Sequence, residues 1–479
     1  MHPVVIVGAG PVGLWLAAEL RLRAVPVIVL EQRESISPHS KALTIHPRTI
    51  EIFAQRGLAE RVLAGGPQVP TGHFGGLEQR LDFSALDTAF PFTLLQPQAH
   101  TEQLLEDHAL SLEVDLRRGH RVTAIDIRVD GVTVQVETVD DSYAIETAYL
   151  VGCDGSRSTV RKAAGIGFPG TSATLYGMLG DVILDAPPQG VVTHSGPTGQ
   201  LMIVPMAGGI HRIVGIDPAR SAPMDHDLTF EEFRESVVAV VGSDYAMHSP
   251  QWISRFGNAA RLAERYRLGR VQLAGDAAHM HFPAGGVGMN VGIQDAHALG
   301  WRLADVVAGW ADDTVLDDYA SERRAVGADL LRHTQAQTVL LAAFLPDARE
   351  LRGLMNELIA ADPQLSRLLA QRLSGLAVAY PAKDGAHSLV GHRIITEELD
   401  AATRAGAALL IVSSEIGATL AADAAAVGIV TASRPDGPAV LVRPDGYVAW
   451  AAENPTEAEV IAAVRSFRTA PTFDVVAST

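Results

Sequence analysis

Pro3 to Val7 is a short apolar run that stops at Gly8. From Val12 to Leu22 the apolar residues return at helical spacing, and Val25 to Leu30 is again rich in β-branched residues. These periods predict a buried strand, a glycine turn, an amphipathic helix and a second buried strand. That order opens a doubly wound parallel sheet. Arg48 to Arg56 and Thr101 to Ala109 predict two further helices. Between Val122 and Val151 the pattern alternates, and VTAIDIRV, VTVQVETV and AIETAYLVG predict the half-exposed strands of an antiparallel ribbon. A second strand-rich zone, Tyr176 to Ile216 with turns at Pro187-Pro188 and Gly208-Gly209, predicts a separate, mostly antiparallel sheet. Arg270 to Ala274 returns to a buried strand, Gly288 to Val307 to a long helix, and Leu316 to Val378 is helix-rich. After the polar break Pro381-Ala382-Lys383-Asp384-Gly385, the runs ALLIV, GIVTA and AVLVRPDGYVAW and a helix around Glu457 to Phe467 predict a small α/β unit.

The chain has 479 residues, 47% of them hydrophobic and 19% charged, which suits about two or three folded domains with sizeable cores. Lys and Arg number 38 against 55 Asp and Glu, a net charge of −17. A field of that sign repels nucleic acid and anionic membranes, so neither is an expected partner. A small apolar or phenolic substrate is indifferent to it. The only cysteine is Cys153, which excludes an intramolecular disulfide or a cysteine metal site and makes a reducing, cytoplasmic location the expectation. The start, MHPVVIVGAG, does not read as a signal peptide, and no run approaches the ~18 apolar residues of a membrane helix.

The chemistry gathers in three glycine-bearing clusters. Gly8-Ala9-Gly10-Pro11-Val12-Gly13 follows a strand and opens a helix. The first glycine turns the chain, the second admits a pyrophosphate to the backbone, and the third lets helix and strand pack closely. The helix start offers free N–H groups to the phosphates. Glu31 closes the next strand about 20 residues on, where an acid accepts ribose hydroxyls. This cluster alone does not separate NAD from FAD. Cys153-Asp154-Gly155-Ser156-Arg157-Ser158 is a second anion-friendly helix start. In the third, a strand ends at Gly275-Asp276 and Pro283-Ala284-Gly285-Gly286-Val287-Gly288-Met289-Asn290 leads into a helix. There Asp276 suits sugar or ribityl hydroxyls, and the bare backbone suits an anionic ring edge.

Together, GAGPVG, CDGSRSTVR and LAGDAAHMHFPAGGVGMNVGIQDA resemble the three FAD signatures of class A flavin monooxygenases. HPRTIEIFAQRGL, RKAAGIGFPGT, RFGNAARLAERYRLGRV and VLVRPDGYVAWAA are similar to the bacterial aromatic polyketide hydroxylases, the angucycline hydroxylases in particular, with rifampicin monooxygenases as relatives. The resemblance implies an α/β protein: a Rossmann-like FAD-binding domain (1–72, 98–175, 265–345), an inserted antiparallel substrate sheet (73–97, 176–264), a helical connector (346–390) and a C-terminal thioredoxin-like domain (391–479). With Cys153 far upstream, that last domain has no dithiol chemistry.

By position, the resemblance implies FAD contacts at Gly8, Gly10, Gly13, Glu31, Lys41, Gln98, Asp154, Asp276, Pro283, Gly288, Met289 and Asn290. Two positions depart from the family: Lys41 stands where Arg is usual, giving the charge without a planar fork, and Ala298 replaces an Asn. The implied cycle consumes NADPH and O2, and oxygen activated at the flavin C4a passes to an electron-rich ring. The cofactor carries that chemistry, so no acid–base triad is required and none is assigned. Pro283 and Gly286 should flank the flavin. His279, His281 and Tyr176 are candidate helpers in deprotonating a phenol, each weighed against an ordinary loop or sheet role. Substrate candidates are Phe74, Tyr176 and Met202, with His73 beginning the domain and Met178, Phe230 and Trp252 as further pocket candidates. His279-Met280-His281 lacks a third ligand, so no metal is expected. The expected partners are a small aromatic polyketide, NADPH and O2, and a homodimer is compatible with the sequence. A Baeyer–Villiger or antibiotic-inactivating monooxygenase is the alternative enzyme, and a flavin-bearing ligand-sequestering protein the alternative outside catalysis. A halogenase is disfavoured by the lack of a W-x-W-x-I-P motif.

Overall fold

The computed structural model describes residues 2–468, apart from 396–398, 400, 401, 403, 405 and 435. The end of the expected C-terminal domain, 469–479, lies outside the described residues. The central sheet has six strands in the order Arg267–Leu268, Val271–Leu273, Tyr149–Gly152, Val4–Val7, Val27–Glu31 and Asp115–Arg118, all parallel except the first. All four residues of Val4–Val7 are buried, as an unbroken apolar strand in a sheet covered on both faces must be. Helix Pro11–Arg21 packs on it and meets the long helix Gly288–Ala308. A Cβ at Gly300 would lie 2.6 Å from Glu19 Cβ, so glycine sets how closely the two helices approach.

The expected ribbon exists as Arg121–Ile127, Val132–Glu137 and Ser142–Thr147. AIETAYLVG, however, is not one strand. It leaves the ribbon at Thr147 and enters the parallel sheet as Tyr149–Gly152. The Thr147 hydroxyl marks the crossing, facing Pro3 O at 2.6 Å and Tyr149 O at 2.7 Å.

The separate sheet is five-stranded and wholly antiparallel, in the order Val192–Gly196, Gly199–Pro205, Ile210–Ile216, Tyr176–Leu184, Met247–Gly257. Helix Phe230–Val241 covers one face through Phe233 and Val237, against Met178, Leu201, Ile203 and Ile213. Residues 73–97 add no strand to this sheet, contrary to expectation. Thr93–Leu95 pairs with Thr44–Ile45 and Gln68–Val69, and Phe74, Leu81 and Phe83 pack with Ile359, Leu369 and Leu373 of helices Pro346–Ala361 and Pro363–Ser374. The segment is too short and too rich in turns to pair at length, so its apolar residues are buried against the connector helices.

The C-terminal unit runs strand, helix, strand, hairpin, helix, with sheet order Ile429–Ser433, Ala408–Val412, Ala439–Val442, Val448–Ala452. The first two strands are parallel and the others antiparallel, the arrangement of a thioredoxin-like fold. It docks through buried ion pairs. Asp305 holds Arg468 at 2.7 Å and Glu322 holds Arg443 at 2.9 Å, while Asp445 accepts from the Trp301 indole at 3.0 Å. Such pairs cost desolvation and reward one geometry. No described helix is long and apolar enough to cross a membrane.

Candidate active site

The three sequence clusters converge around the first turn. Gly8 has φ +105°, and a Cβ there would lie 2.5 Å from Cys153 O; a Cβ at Gly13 would lie 2.0 Å from Gly8 O. Gly10 differs, with no described atom within 4 Å of its would-be Cβ. Helix Pro11–Arg21 starts without a side-chain cap and without an acidic residue in its first turn, leaving its N–H groups and positive dipole end for an anion. An open Gly10 in front of an uncapped helix fits a pyrophosphate. Glu31 fixes the turn: Oε2 accepts from the Ala9 N–H at 2.9 Å and Oε1 from the Arg33 N–H at 3.0 Å. Arg33 Nε also donates to Oε1 at 3.2 Å, and of the about four acceptor sites of a carboxylate one on Oε2 is left for a ribose hydroxyl.

Asp154 sits beside Gly8, its Cα 3.1 Å from that glycine's would-be Cβ. Its Oδ2 accepts from the Thr159 N–H at 2.6 Å and the Val160 N–H at 3.1 Å. Oδ1 is buried without a hydrogen-bond partner among the described residues, and burial raises the carboxyl pKa against these hydrogen bonds. Arg161 joins this cluster to the third, donating to Ala277 O at 2.8 Å and Ser156 O at 2.9 Å while lying over the Phe168 ring.

At the third cluster, Gly275 takes φ +63° with Val12 against it, and a Cβ at Gly292 would lie 2.6 Å from Val12 Cγ2. The Gly275 N–H donates to Asp295 Oδ2 at 3.1 Å. Asp276 points outward: it is exposed and makes no hydrogen bond or ion pair among the described residues. A carboxylate held on a fixed turn without a protein partner suits a polyol.

The glycine loop is clamped from below. Asn290 Nδ2 donates to Thr44 O and Gly286 O, each at 3.0 Å, and its Oδ1 accepts from the His46 N–H at 2.8 Å. The Thr44 hydroxyl donates to Gly286 O at 3.0 Å, and His46 Nε2 donates to Gly285 O at 2.8 Å. Burial lowers the His46 pKa to about 4, against the opposing effect of that hydrogen bond, so the ring is neutral. The Asn290 side chain is therefore occupied with shaping the loop, and only its backbone is free to face a flavin. Gly288 lies over His281, a Cβ there being 3.0 Å from Nε2; Met289 is half-buried and Pro283 exposed. Gln98 Oε1 accepts from the Ala42 N–H at 3.1 Å and its Nε2 donates to Glu102 at 2.7 Å. Lys41 next to it is exposed, with no side-chain hydrogen bond or salt bridge among the described residues.

Each candidate helper is held by a protein partner. His279 is fully buried against Asp295 at 2.7 Å. His281 donates to Phe282 O at 2.6 Å, and burial followed by His279 lowers its pKa. The Tyr176 hydroxyl donates to Ala173 O at 3.3 Å. No group of three His, Cys, Asp or Glu suited to a metal occurs among the described residues.

Met202, half-buried, lies on the sheet face opposite helix Phe230–Val241, sharing it by register with Val214 and Leu179. Trp252 shares this face and stacks on His39 with ring centroids 5.6 Å apart. Met178 and Phe230 do not: both pack in the helix-covered core. Phe74 is buried with the connector helices. The apolar wall nearest Pro283 instead combines Ile216, Phe256, Phe282 and Ala284 with Leu341 and Phe344, the Phe256 and Phe282 rings being 5.3 Å apart. FPAGG and the apolar end of helix Val315–Leu341 were the available signals for it.

Fold and site thus define a dinucleotide-binding protein with an apolar, aromatic cluster at the start of its glycine loop. A family model described as "FAD binding domain" matches residues 1–334, and one described as "Aromatic-ring hydroxylase, C-terminal" matches residues 387–471. The chain is 43% identical to an uncharacterized aromatic compound monooxygenase of Bacillus subtilis, with 96% of each chain covered. It is 40% identical to the rifampicin monooxygenase of Streptomyces venezuelae, covering 95% of this chain and 97% of that one. Among solved structures, the OxyS anhydrotetracycline hydroxylase from Streptomyces rimosus superimposes with a TM-score of 0.89 at 40% identity, over 98% of this chain and 99% of that one. The chain belongs to the FAD-dependent aromatic-ring hydroxylases, flavoprotein monooxygenases of class A, and its cofactor is FAD.

Proposed function

We propose that this enzyme hydroxylates a polycyclic aromatic polyketide at the expense of NADPH and O2, in the cytoplasm. The observation that carries the reading is the apolar cluster of Phe256, Phe282 and Ala284, which brackets Pro283 at the start of the clamped glycine loop with the two rings 5.3 Å apart. A flat, multi-ring substrate would stack beside such a cluster, whose apolar side chains would keep water from the reacting face. Residues Gly8–Gly13 and Glu31 would bind the ADP end of FAD, Asp276 the ribityl chain, and the backbone of Gly286–Asn290 the ring edge, with Lys41 and Gln98 beside it. When bound, FAD supplies the electron transfer and oxygen activation. The chain's part is to bind, orient and exclude water. The neutral His46 and the Asn290 clamp hold the loop in one shape, and no side chain is assigned as a proton carrier.

Likeness to an anhydrotetracycline hydroxylase supports a fused-ring phenolic substrate. Likeness to a rifampicin monooxygenase supports a second reading, an antibiotic-inactivating or Baeyer–Villiger oxidation on the same scaffold. Screening polyketide phenols and quinones for stimulated NADPH oxidation, with products solved by NMR, tests both. A new ring hydroxyl supports the first reading, and an oxygen inserted into a ring supports the second. Failure of every aromatic to accelerate NADPH oxidation contradicts both.

A further inference from the structure

The C-terminal unit has no redox cysteine, and none of its described residues lies against the glycines of the loop. Its hairpin Arg443-Pro444-Asp445-Gly446 enters the first domain rather than merely touching it. Arg48 donates to Asp445 O at 2.7 Å, the Trp301 indole to its carboxylate at 3.0 Å, and Arg443 grips that carboxylate with two nitrogens, at 2.9 and 2.6 Å. Arg443 lies 4.7 Å from the centroid of the Tyr380 ring, and Tyr447 of the same hairpin packs 4.6 Å from Tyr380.

The Tyr380 hydroxyl in turn accepts from Arg323 at 3.2 Å, and Arg323 Nε donates to Asp295 Oδ1 at 2.7 Å. The other oxygen of Asp295 takes the Gly275 N–H and His279. Arg323 and Asp295 are at most 1% exposed. Every link is a contact between packed, buried groups, and the far end is the backbone that aims Asp276. Such a chain has little freedom to relax when one member is removed.

We infer that the C-terminal hairpin is a brace for the flavin site: through Tyr380, Arg323 and Asp295 it fixes the Gly275-Asp276 turn and so tightens the hold on FAD. Asp295, Arg323 and Tyr380 are positioning residues that do not touch the cofactor. This rests on the assignment of Asp276 to the ribityl chain. Tyr380→Phe is the mildest cut, since it keeps the ring against Arg443 and Tyr447 and deletes only the hydroxyl.

The test is FAD titration of the flavin-free full-length chain, with the visible circular dichroism of the bound flavin and the melting temperature of the flavin-free protein. Tyr380→Phe should raise the FAD Kd about fivefold and alter the flavin dichroism, while the flavin-free protein stays folded with a melting temperature only a few degrees lower, the cost of one buried hydrogen bond. Asp295→Asn raises the Kd at least as much, and adding Tyr380→Phe to it produces no further increase. An unchanged Kd and dichroism in Tyr380→Phe overturns the brace, as does a Kd increase that adds fully to that of Asp295→Asn. Asp276→Ala separates the two claims. If it binds FAD normally, the ribityl assignment fails first; if it loses FAD while Tyr380→Phe is silent, only the brace fails.

Discussion

Replacing Gly10 and Gly13 separately by alanine pulls apart cofactor binding and folding at the first turn. At Gly13 the new methyl would sit 2.0 Å from Gly8 O and 3.4 Å from Cys153 Cβ. The oxygen belongs to the backbone of a turn already at φ +105°, so it cannot swing aside as a side chain would. Overpacking of this kind costs about 1–3 kcal/mol, against about 0.5–1 kcal/mol that alanine gains over glycine in a helix. The expected net loss is about 1–2 kcal/mol, visible without flavin. At Gly10 the methyl meets no described atom within 4 Å, and the residue is extended, with φ −77°. Alanine caps a helix less well than glycine, by up to about 1 kcal/mol, and the stiffer unfolded chain returns about 0.4–1 kcal/mol. Flavin-free stability should therefore hardly move. The methyl does stand where the pyrophosphate must approach, so FAD affinity should fall at least about tenfold, some 1.4 kcal/mol. Denaturant midpoints of the flavin-free proteins and FAD titrations by fluorescence quenching read the two effects. A Gly10→Ala protein that binds FAD as tightly as wild type would refute the placement of the pyrophosphate.

Three further outcomes are expected. Asp276→Ala should lower FAD affinity by about 10- to 100-fold, the worth of a charge-assisted hydrogen bond at about 1.5–3 kcal/mol. Because Asp276 has no protein partner among the described residues, the flavin-free melting curve should not shift, and full flavin content after gel filtration would argue against its role. The His46 ring, with an ordinary pKa of 6.5, is protonated in the fold only near pH 4. Between these values the unfolded chain binds more protons, so the His46 contribution to stability is present above pH 6.5 and is lost as the pH falls to 4. The loss is about 3 kcal/mol, and a His46→Asn variant should show a flatter stability profile across that window in urea titrations; an equally steep profile would contradict it. Lys41→Arg should slow FAD dissociation several-fold by adding a planar donor fork, and stopped-flow release of FAD would show no change if Lys41 does not reach the flavin.

Much of this architecture was legible because its signals are local. Glycine turns after apolar strands, alternation in the ribbon and the helical periods each depend on a few neighbouring residues. The same is true of Gly8, Gly13, Asp154 and Gly275-Asp276, whose backbone demands show in the residue types. What escaped reading was set by partners distant in sequence. His46 looks like the start of a helix, and only the fold brings it 2.8 Å from Gly285 O. Asp295 lies in a helical apolar pattern, and its meeting with Arg323 and the Gly275 N–H is tertiary. Met178 and Phe230 were read as pocket candidates because apolar residues in and beside a sheet carry no mark of which face they take; one residue of register decides it. The seam of Asp305 with Arg468 and of Glu322 with Arg443 was invisible, since charged residues in sequence look like surface until a second domain covers them.

Delivery of one atom of O2 to an aromatic ring is the reaction on which the proposed function stands or falls. The most direct test is turnover of an accepted polyketide under oxygen-18 gas, with the product examined by mass spectrometry and NMR. One labelled oxygen is expected in the product, carried as a hydroxyl on a ring carbon, with NADPH consumed in step. Label absent from the product, with oxygen leaving only as hydrogen peroxide or entering from water, would contradict it.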